Sequence, residues 1–331
     1  MTEPTPTNGV FAKAISEEWI YPLEKTPLLV FRPKMTRLIT ALRRLLVNDI
    51  AHDHGFEEYV FPRMVPEEVL AKTGWLNNHR EEAWLVDPKR EFVFHPDNPE
   101  ETAGLFVKDS SFPGFPSTPL PYALDPIQCV SLYYALFNKT LEHGKWPVKA
   151  FEYQGGWSHR YEKMASGLLR GVEFLRLELV WIADRQKADD IRTEVLQAAG
   201  HALKEQLELK IQLAAGDSCF EEPALLKYDK FWDLKDVATL AQQAASIDIV
   251  GTYGASESIE IGSTGRHDSL PRRFQIKLKD NGGREISAWS GCLGIGVTRL
   301  AAVFLSAHGF DVNKWPERIL RYYNQAGKKD D

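Results

Sequence analysis

The chain has 331 residues, 44% of them hydrophobic and 26% charged, enough at roughly 150 residues per domain for one large or two small domains with a full core. That composition excludes a disordered or collagen-like chain, and an odd count of three cysteines, Cys129, Cys219 and Cys292, argues against a disulfide framework. Forty basic residues against 46 acidic ones leave a formal charge of −6, so wholesale binding along a nucleic-acid backbone would need a local basic patch.

The first nine residues are polar, without the basic and apolar regions of a secretory signal, and no apolar run reaches the ~18 residues that span a bilayer. A cytoplasmic protein with no membrane partner is expected. Residues 1–30 read as an N-terminal extension, loose over 1–9. Leu38, Leu42, Leu45, Leu46 and Ile50 recur at helical spacing, predicting a helix over 35–50 that leads into a strand ending at Pro62. Residues 109–126, rich in Ser, Gly and Pro, read as loop, and 127–140 as helix.

From Phe174 to Trp181 the sequence alternates, with Leu175, Leu177, Leu179 and Trp181 on one face and Arg176 and Glu178 on the other, the pattern of a half-buried strand. A long amphipathic helix is predicted over 184–213 and another over 228–245, overlapping an insertion at 230–254. Strands follow at 258–261, 274–278 and 285–289, the last two joined by Asp280-Asn-Gly-Gly283, a hairpin signal. A glycine-led helix over 293–307 completes the core. The class is α+β: a largely antiparallel sheet flanked by helices, in a single domain over 1–331.

Gly294-Ile-Gly296-Val-Thr-Arg299 lacks the third glycine and the following βαβ unit of a dinucleotide fold, and no P-loop occurs. What remains is a strand, two glycines and a helix with an arginine in its first turns, suited to the polyphosphate end of a nucleotide or to a structural arginine. A hairpin over 157–181 would show Arg160 and Glu162 on one strand, and Arg170, Phe174 and Glu178 on the other. Such a face fits a nucleotide, with arginine on phosphate, an aromatic under the base and a carboxylate toward an amino group; a solvated sheet face is the alternative.

These motifs, in this order, resemble the class II aminoacyl-tRNA synthetase catalytic core over roughly residues 30–310: a helix and strand ending in Pro62, the hairpin of Arg160, Glu162, Arg170, Phe174 and Glu178, and the helix carrying Arg299. Ser258-Ile-Glu260-Ile-Gly-Ser263, with Asp268 and Arg272-Arg273, is similar to the stretch before the third motif in seryl-tRNA synthetases. The resemblance implies ATP with Mg²⁺ as cofactor: Arg160 on the α-phosphate, Glu162 on the adenine amino group, Phe174 against the adenine ring, Arg170 and Arg299 at the γ-phosphate, and Glu260 at the magnesium, with Ser263 also among the cofactor-binding residues. Cys129, Glu178 and Cys292 resemble the Cys, Glu and Cys that hold Zn²⁺ in the atypical seryl-tRNA synthetases of methanogens, with the substrate's α-amino group as the implied fourth ligand. Spacing alone would leave the two cysteines as core thiols. Cys219 reads as a structural thiol, and His52 and His54 as a helix end.

With the first motif starting near residue 35, a separate N-terminal tRNA-binding domain is not expected. This resembles the amino acid:carrier-protein ligases, homologues of those synthetases, and implies activation of a small amino acid, glycine or alanine, with transfer to the phosphopantetheine thiol of a carrier protein. The helix within 230–254 and a basic set, Arg266, Arg272, Arg273, Lys277 and Lys279, are then candidates for docking the carrier, and tRNA is not an expected partner. Two other readings stand beside it: an atypical seryl-tRNA synthetase that charges tRNA, and a non-catalytic regulatory paralogue. A homodimer through the first motif is implied by the resemblance.

Overall fold

A computed structural model describes residues 9–86, 92–93, 103–104, 121–152, 157–161, 167–217, 219–220, 230–254 and 257–327. The fold is built on a nine-stranded sheet whose strands are, in chain order, β1 (Glu57–Tyr59), β2 (Val148–Glu152), β3 (Trp157–His159), β4 (Glu173–Ala183), β5 (Ile211–Gly216), β6 (Phe231–Trp232), β7 (Ser246–Tyr253), β8 (Glu257–Arg266) and β9 (Trp289–Gly296). Their spatial order is β6-β5-β7-β8-β9-β4-β2-β1, with β3 paired to β4, and every pairing is antiparallel except β1 with β2. The α+β class with an antiparallel sheet flanked by helices is as the sequence predicts.

One face of the sheet is covered by the helices Pro33–Leu46, Arg185–His201, Val297–His308 and Glu317–Gln325, which share a core with Leu175, Leu177, Leu179 and Trp181 of β4. The other face carries a smaller core in which Val180 and Ile182 meet Cys129, Tyr133, Phe274 and Cys292. β4 is therefore covered on both faces rather than half-buried: Arg176 and Glu178 are 8% and 0% exposed. In an amphipathic strand the polar face ordinarily meets water; here it meets a second layer.

Several boundaries differ from the pattern reading. The helix predicted over 184–213 stops at His201, loosens into a wider turn over Ala202–Gln206 and reverses at Glu208, whose φ is 51°. Ile211 and Leu213 then alternate with exposed Gln212 as β5; the same three residues also extend a helical stripe, and period two wins because β7 pairs with them. The glycine-led helix begins at Val297, since Leu293–Gly296 is held as strand between β4 and β8. The helix over 127–140 shrinks to Val130–Ala135, ended by Asn138 at φ 57°. Strands placed at 56–62 and 274–278 are three residues each, Glu57–Tyr59 and Lys277–Lys279.

The insertion helix of 230–254 occupies only 234–243, and Ser246–Tyr253 is the inner strand β7. Val237, Leu240 and Ala241 are buried in the helix-side core, so that face packs inward and offers nothing for docking. Within the N-terminal extension, Ala14, Trp19 and Ile20 are buried in the same core. The rest of the loop at 109–126, up to residue 120, lies outside the described residues. Among the described residues no helix is long and apolar enough to cross a membrane.

Candidate functional site

The site is assembled by register. Cross-strand pairing aligns Glu152, Glu178, Gly294, Ser263 and Asp248 across five strands, and two residues along, Val180, Cys292, Gly265 and Ser246. Because side chains alternate along a strand, Glu178 and Cys292 emerge on one face together with Arg176. A bulge between β7 and β8 leaves Ile261 without a cross-strand counterpart and buried in the helix-side core. That extra residue puts Glu260 and Ser263 on the same side, both lining the site cavity.

The cavity has a volume of about 640 Å³ and is lined by Arg160, Arg170, Phe174, Arg176, Glu260, Ser263, Gly294 and Arg299, among others. The structure thus gathers Arg160, Arg170, Phe174, Glu260, Ser263 and Arg299 at one opening; Glu162 lies outside the described residues. Backbone carbonyls aim the arginines. Arg160 Nε donates to the Pro126 carbonyl at 3.1 Å, while Arg299 donates from Nε to Leu169 O at 2.8 Å and from Nη1 to Glu260 O at 2.6 Å. The Glu260 carboxylate stands 3.7 Å from Arg299 Nη1 and is 42% exposed, free to meet a cation as well.

Cys129, Glu178 and Cys292 do not line the cavity but lie beneath it, all buried, with their ligand atoms within 4.8 Å of one another. Cys292 Sγ accepts from Cys129 Sγ–H, which pulls the Cys292 pKa well below the thiol range with help from His267, whereas the same bond and burial push Cys129 up. Burial likewise drives the Glu178 carboxyl well above the ordinary range, against the pull of Arg176. Arg176 Nε is 2.7 Å from Glu178 Oε2, yet neither carboxylate oxygen has a hydrogen-bond partner among the described residues. Two sulfurs and a buried carboxylate that is ion-paired with Arg176 but accepts no hydrogen bond among the described residues are a donor set that suits zinc, so the residues present fit that ion.

Gly294 is the position where floor and cavity meet. A Cβ there would come within 2.0–2.5 Å of the Arg176 guanidinium, so only glycine lets Arg176 lie across β9. Sequence reading did not assign Arg176 to the site, although alternation with Glu178 was a usable signal. It treated Cys219 as structural, whereas Cys219 lines the cavity. His267 Nε2, 3.1 Å from Cys292 Sγ, had no signal, because their proximity depends on the register of β8 and β9.

Residues 119–308 match the family described as the tRNA synthetase class II core domain (G, H, P, S and T). The chain is similar to the type-2 serine–tRNA ligase of Methanopyrus kandleri, 30% identical over 305 residues, which cover 88% of this chain and 55% of that protein. It is also similar to the enzyme of that name from Methanocaldococcus jannaschii, at 28% identity, with 86% of this chain and 53% of that one covered. Among solved structures it resembles the crystal structure of A. aeolicus tRNASec in complex with M. kandleri SerRS, with a TM-score of 0.76 and 26% identity, over 98% of this chain and 62% of that one. The chain belongs to the class II synthetase core family, ATP-using ligases whose members employ Mg²⁺ with the nucleotide. It spans about half the length of the curated relatives it matches.

These findings correct two expectations. Transfer to a carrier protein's phosphopantetheine thiol, with tRNA excluded as a partner, is overturned by relatives named as serine–tRNA ligases and by a similar structure that contains tRNA. The physical reason is that residues forming an adenylate hold ATP and an amino acid and carry no imprint of the nucleophile that follows. Four members of the basic set offered as a docking patch also have partners within the protein: Arg266 meets Asp189 and Asp268, Lys277 meets Glu285, Lys279 meets Glu142, and Arg273 donates to the Thr73 carbonyl.

Proposed function

We propose that the chain activates serine with ATP to form seryl adenylate and passes the seryl group to tRNA. The observation that carries this reading is the arginine-lined cavity set directly above a buried two-sulfur, one-carboxylate cluster, in a chain whose relatives are named serine–tRNA ligases. Arg160 holds the α-phosphate, Phe174 stacks on the adenine ring, and Glu162 accepts from the adenine amino group. Arg170 and Arg299 take the γ-phosphate end, and Glu260 with Ser263 holds Mg²⁺. Cys129, Glu178 and Cys292 hold zinc, which when bound supplies a Lewis-acid position for the substrate's neutral α-amino group.

In the first step the serine carboxylate attacks the α-phosphorus and pyrophosphate leaves; in the second a tRNA ribose hydroxyl attacks the acyl carbonyl, loses its proton and releases AMP. The protein forms no covalent intermediate. Its side chains align carboxylate and phosphate and offset the negative charge that develops between Arg160 and Arg299.

Pyrophosphate–ATP exchange, run in parallel with serine, glycine and alanine, tests the activation step, and charging of serine-accepting tRNA tests the transfer. Exchange strongest with serine and formation of seryl-tRNA are expected. Exchange confined to glycine or alanine would overturn the amino-acid assignment, and exchange without charging would overturn the acceptor.

A further inference from the structure

His267 follows the end of β8 and is held more tightly than a core histidine needs to be. It is 5% exposed, its N–H donates to Ser290 O at 2.9 Å, and its own carbonyl accepts from Ser290 Oγ at 2.9 Å. Tyr133 OH donates to that same Ser290 Oγ at 3.0 Å, completing the clamp. The ring stands edge-on to Phe220, with centroids 4.8 Å apart at 89°, and lies over Gly265, where a Cβ would come within 2.5 Å of its Cε1. Gly265 is the cross-strand partner of Cys292, so the missing side chain on β8 is what admits the ring beside the sulfur.

Nε2 sits 3.1 Å from Cys292 Sγ, while the buried Nδ1 has no partner among the described residues. This fixes the favoured tautomer of a neutral ring. A proton on Nδ1 would leave a buried donor unsatisfied, whereas a proton on Nε2 points at the sulfur and leaves only a lone pair unpaired. The ring nitrogen is not one of the three ligand atoms that lie mutually within 4.8 Å, so His267 stands beside the cluster and not in it.

We propose that His267 is a positioning residue for the metal site: its Nε2–H donates to the Cys292 sulfur, holding that sulfur toward Cys129 and Glu178 as an anionic ligand. This rests on the zinc reading above. A donor on a ligating atom limits the rotamers the ligand can adopt and stabilises its charge, and loss of such a partner typically costs 10–100-fold in metal affinity.

The test uses the full chain, with zinc affinity measured by chelator competition and the sulfur-to-metal charge-transfer bands read after cobalt substitution. His267→Ala should weaken zinc binding about 10–100-fold and shift the cobalt bands. His267→Gln, whose amide nitrogen reaches the Nε2 position, should restore most of both, and His267→Asn, with an amide one bond shorter, should not. Unchanged affinity and spectrum in His267→Ala would overturn the proposal. So would equal losses in the Gln and Asn variants, which would make the role one of packing, and so would loss of a nitrogen neighbour from the X-ray absorption spectrum, which would make His267 a ligand. The underlying zinc reading fails separately, if the wild-type chain binds no stoichiometric zinc or Cys292→Ser binds it as well as wild type.

Discussion

The floor and the rim of the site are built by opposite means. On the floor, Glu178 and Cys292 are fixed by β-register and Cys129 by the start of the helix Val130–Ala135, all three are buried, and Glu178 accepts no hydrogen bond at either oxygen among the described residues. On the rim, Arg160 and Arg299 are aimed by carbonyls yet remain partly open, and Arg170 is exposed. Two thiols and a carboxylate crowded together out of water, with the Arg176 guanidinium as the cation beside them, are costly to leave as they are, so the floor calls for an ion or a proton, whereas the solvated rim tolerates being empty. The lesson is that one half of the site selects by geometry in a dry environment and the other gathers phosphate by charge.

Substitutions should separate the two halves. The largest expected effect is on the floor: Cys129→Ala or Cys292→Ala should abolish stoichiometric zinc and lower serine-dependent exchange by about 10³-fold or more, as for loss of a principal transition-state contact. Metal content by mass spectrometry with exchange assays reads both together. On the rim, Arg299→Ala should cost about 10²–10³-fold in exchange with zinc content unchanged. Arg299→Lys should recover little, because a single ammonium lacks the planar fork whose Nε and Nη1 reach the Leu169 and Glu260 carbonyls from separate nitrogens. Zinc loss in an Arg299 variant would join what the comparison separates.

Gly294→Ala probes the seam. The added methyl meets the Arg176 guanidinium, which must move off β9, so destabilisation of about 1–3 kcal/mol and a drop in exchange are expected together. An unaltered denaturation midpoint would mean that Arg176 has room to shift freely.

How much was legible follows the same division. Phe174 and Arg299 sit in a strand and a helix whose local pattern places them, whereas Arg160 and Arg170, expected on the two strands of a hairpin, fall just outside Trp157–His159 and Glu173–Ala183 and reach the same cavity from the turns beside them. The floor draws Cys129, Glu178 and Cys292 from three distant segments, and only family resemblance joined them. Boundaries failed where two periods fit one stretch, as at Ile211–Leu213, or where pairing on both sides held glycines in a strand, as at Gly294–Gly296. His267 and the Glu260 bulge were invisible because each is a fact of register.

The smallest effect expected lies behind the floor, and it is one of pH. Asp125 is 1% exposed; its Oδ1 accepts from Ile127 N at 3.1 Å, and Oδ2 has no partner among the described residues. Burial pushes its carboxyl up to about 7, with Glu152 adding to the rise and the Ile127 N–H and Arg63 opposing it. The native state therefore binds a proton that the unfolded chain has released above the ordinary 3.8, so this stability is full below that value and is lost as pH rises through about 7. Asp125→Asn keeps an oxygen for Ile127 and carries no charge. Its stability should vary less between pH 5 and pH 8 and exceed that of wild type at pH 8 by on the order of 2 kcal/mol. Each tenfold difference in proton affinity between the folded and unfolded chain is worth about 1.4 kcal/mol, and whatever the new amide N–H₂ leaves unsatisfied reduces the gain. Urea unfolding across that range measures it. Parallel curves for the two proteins would show that Asp125 does not hold its proton up to about pH 7 in the folded chain.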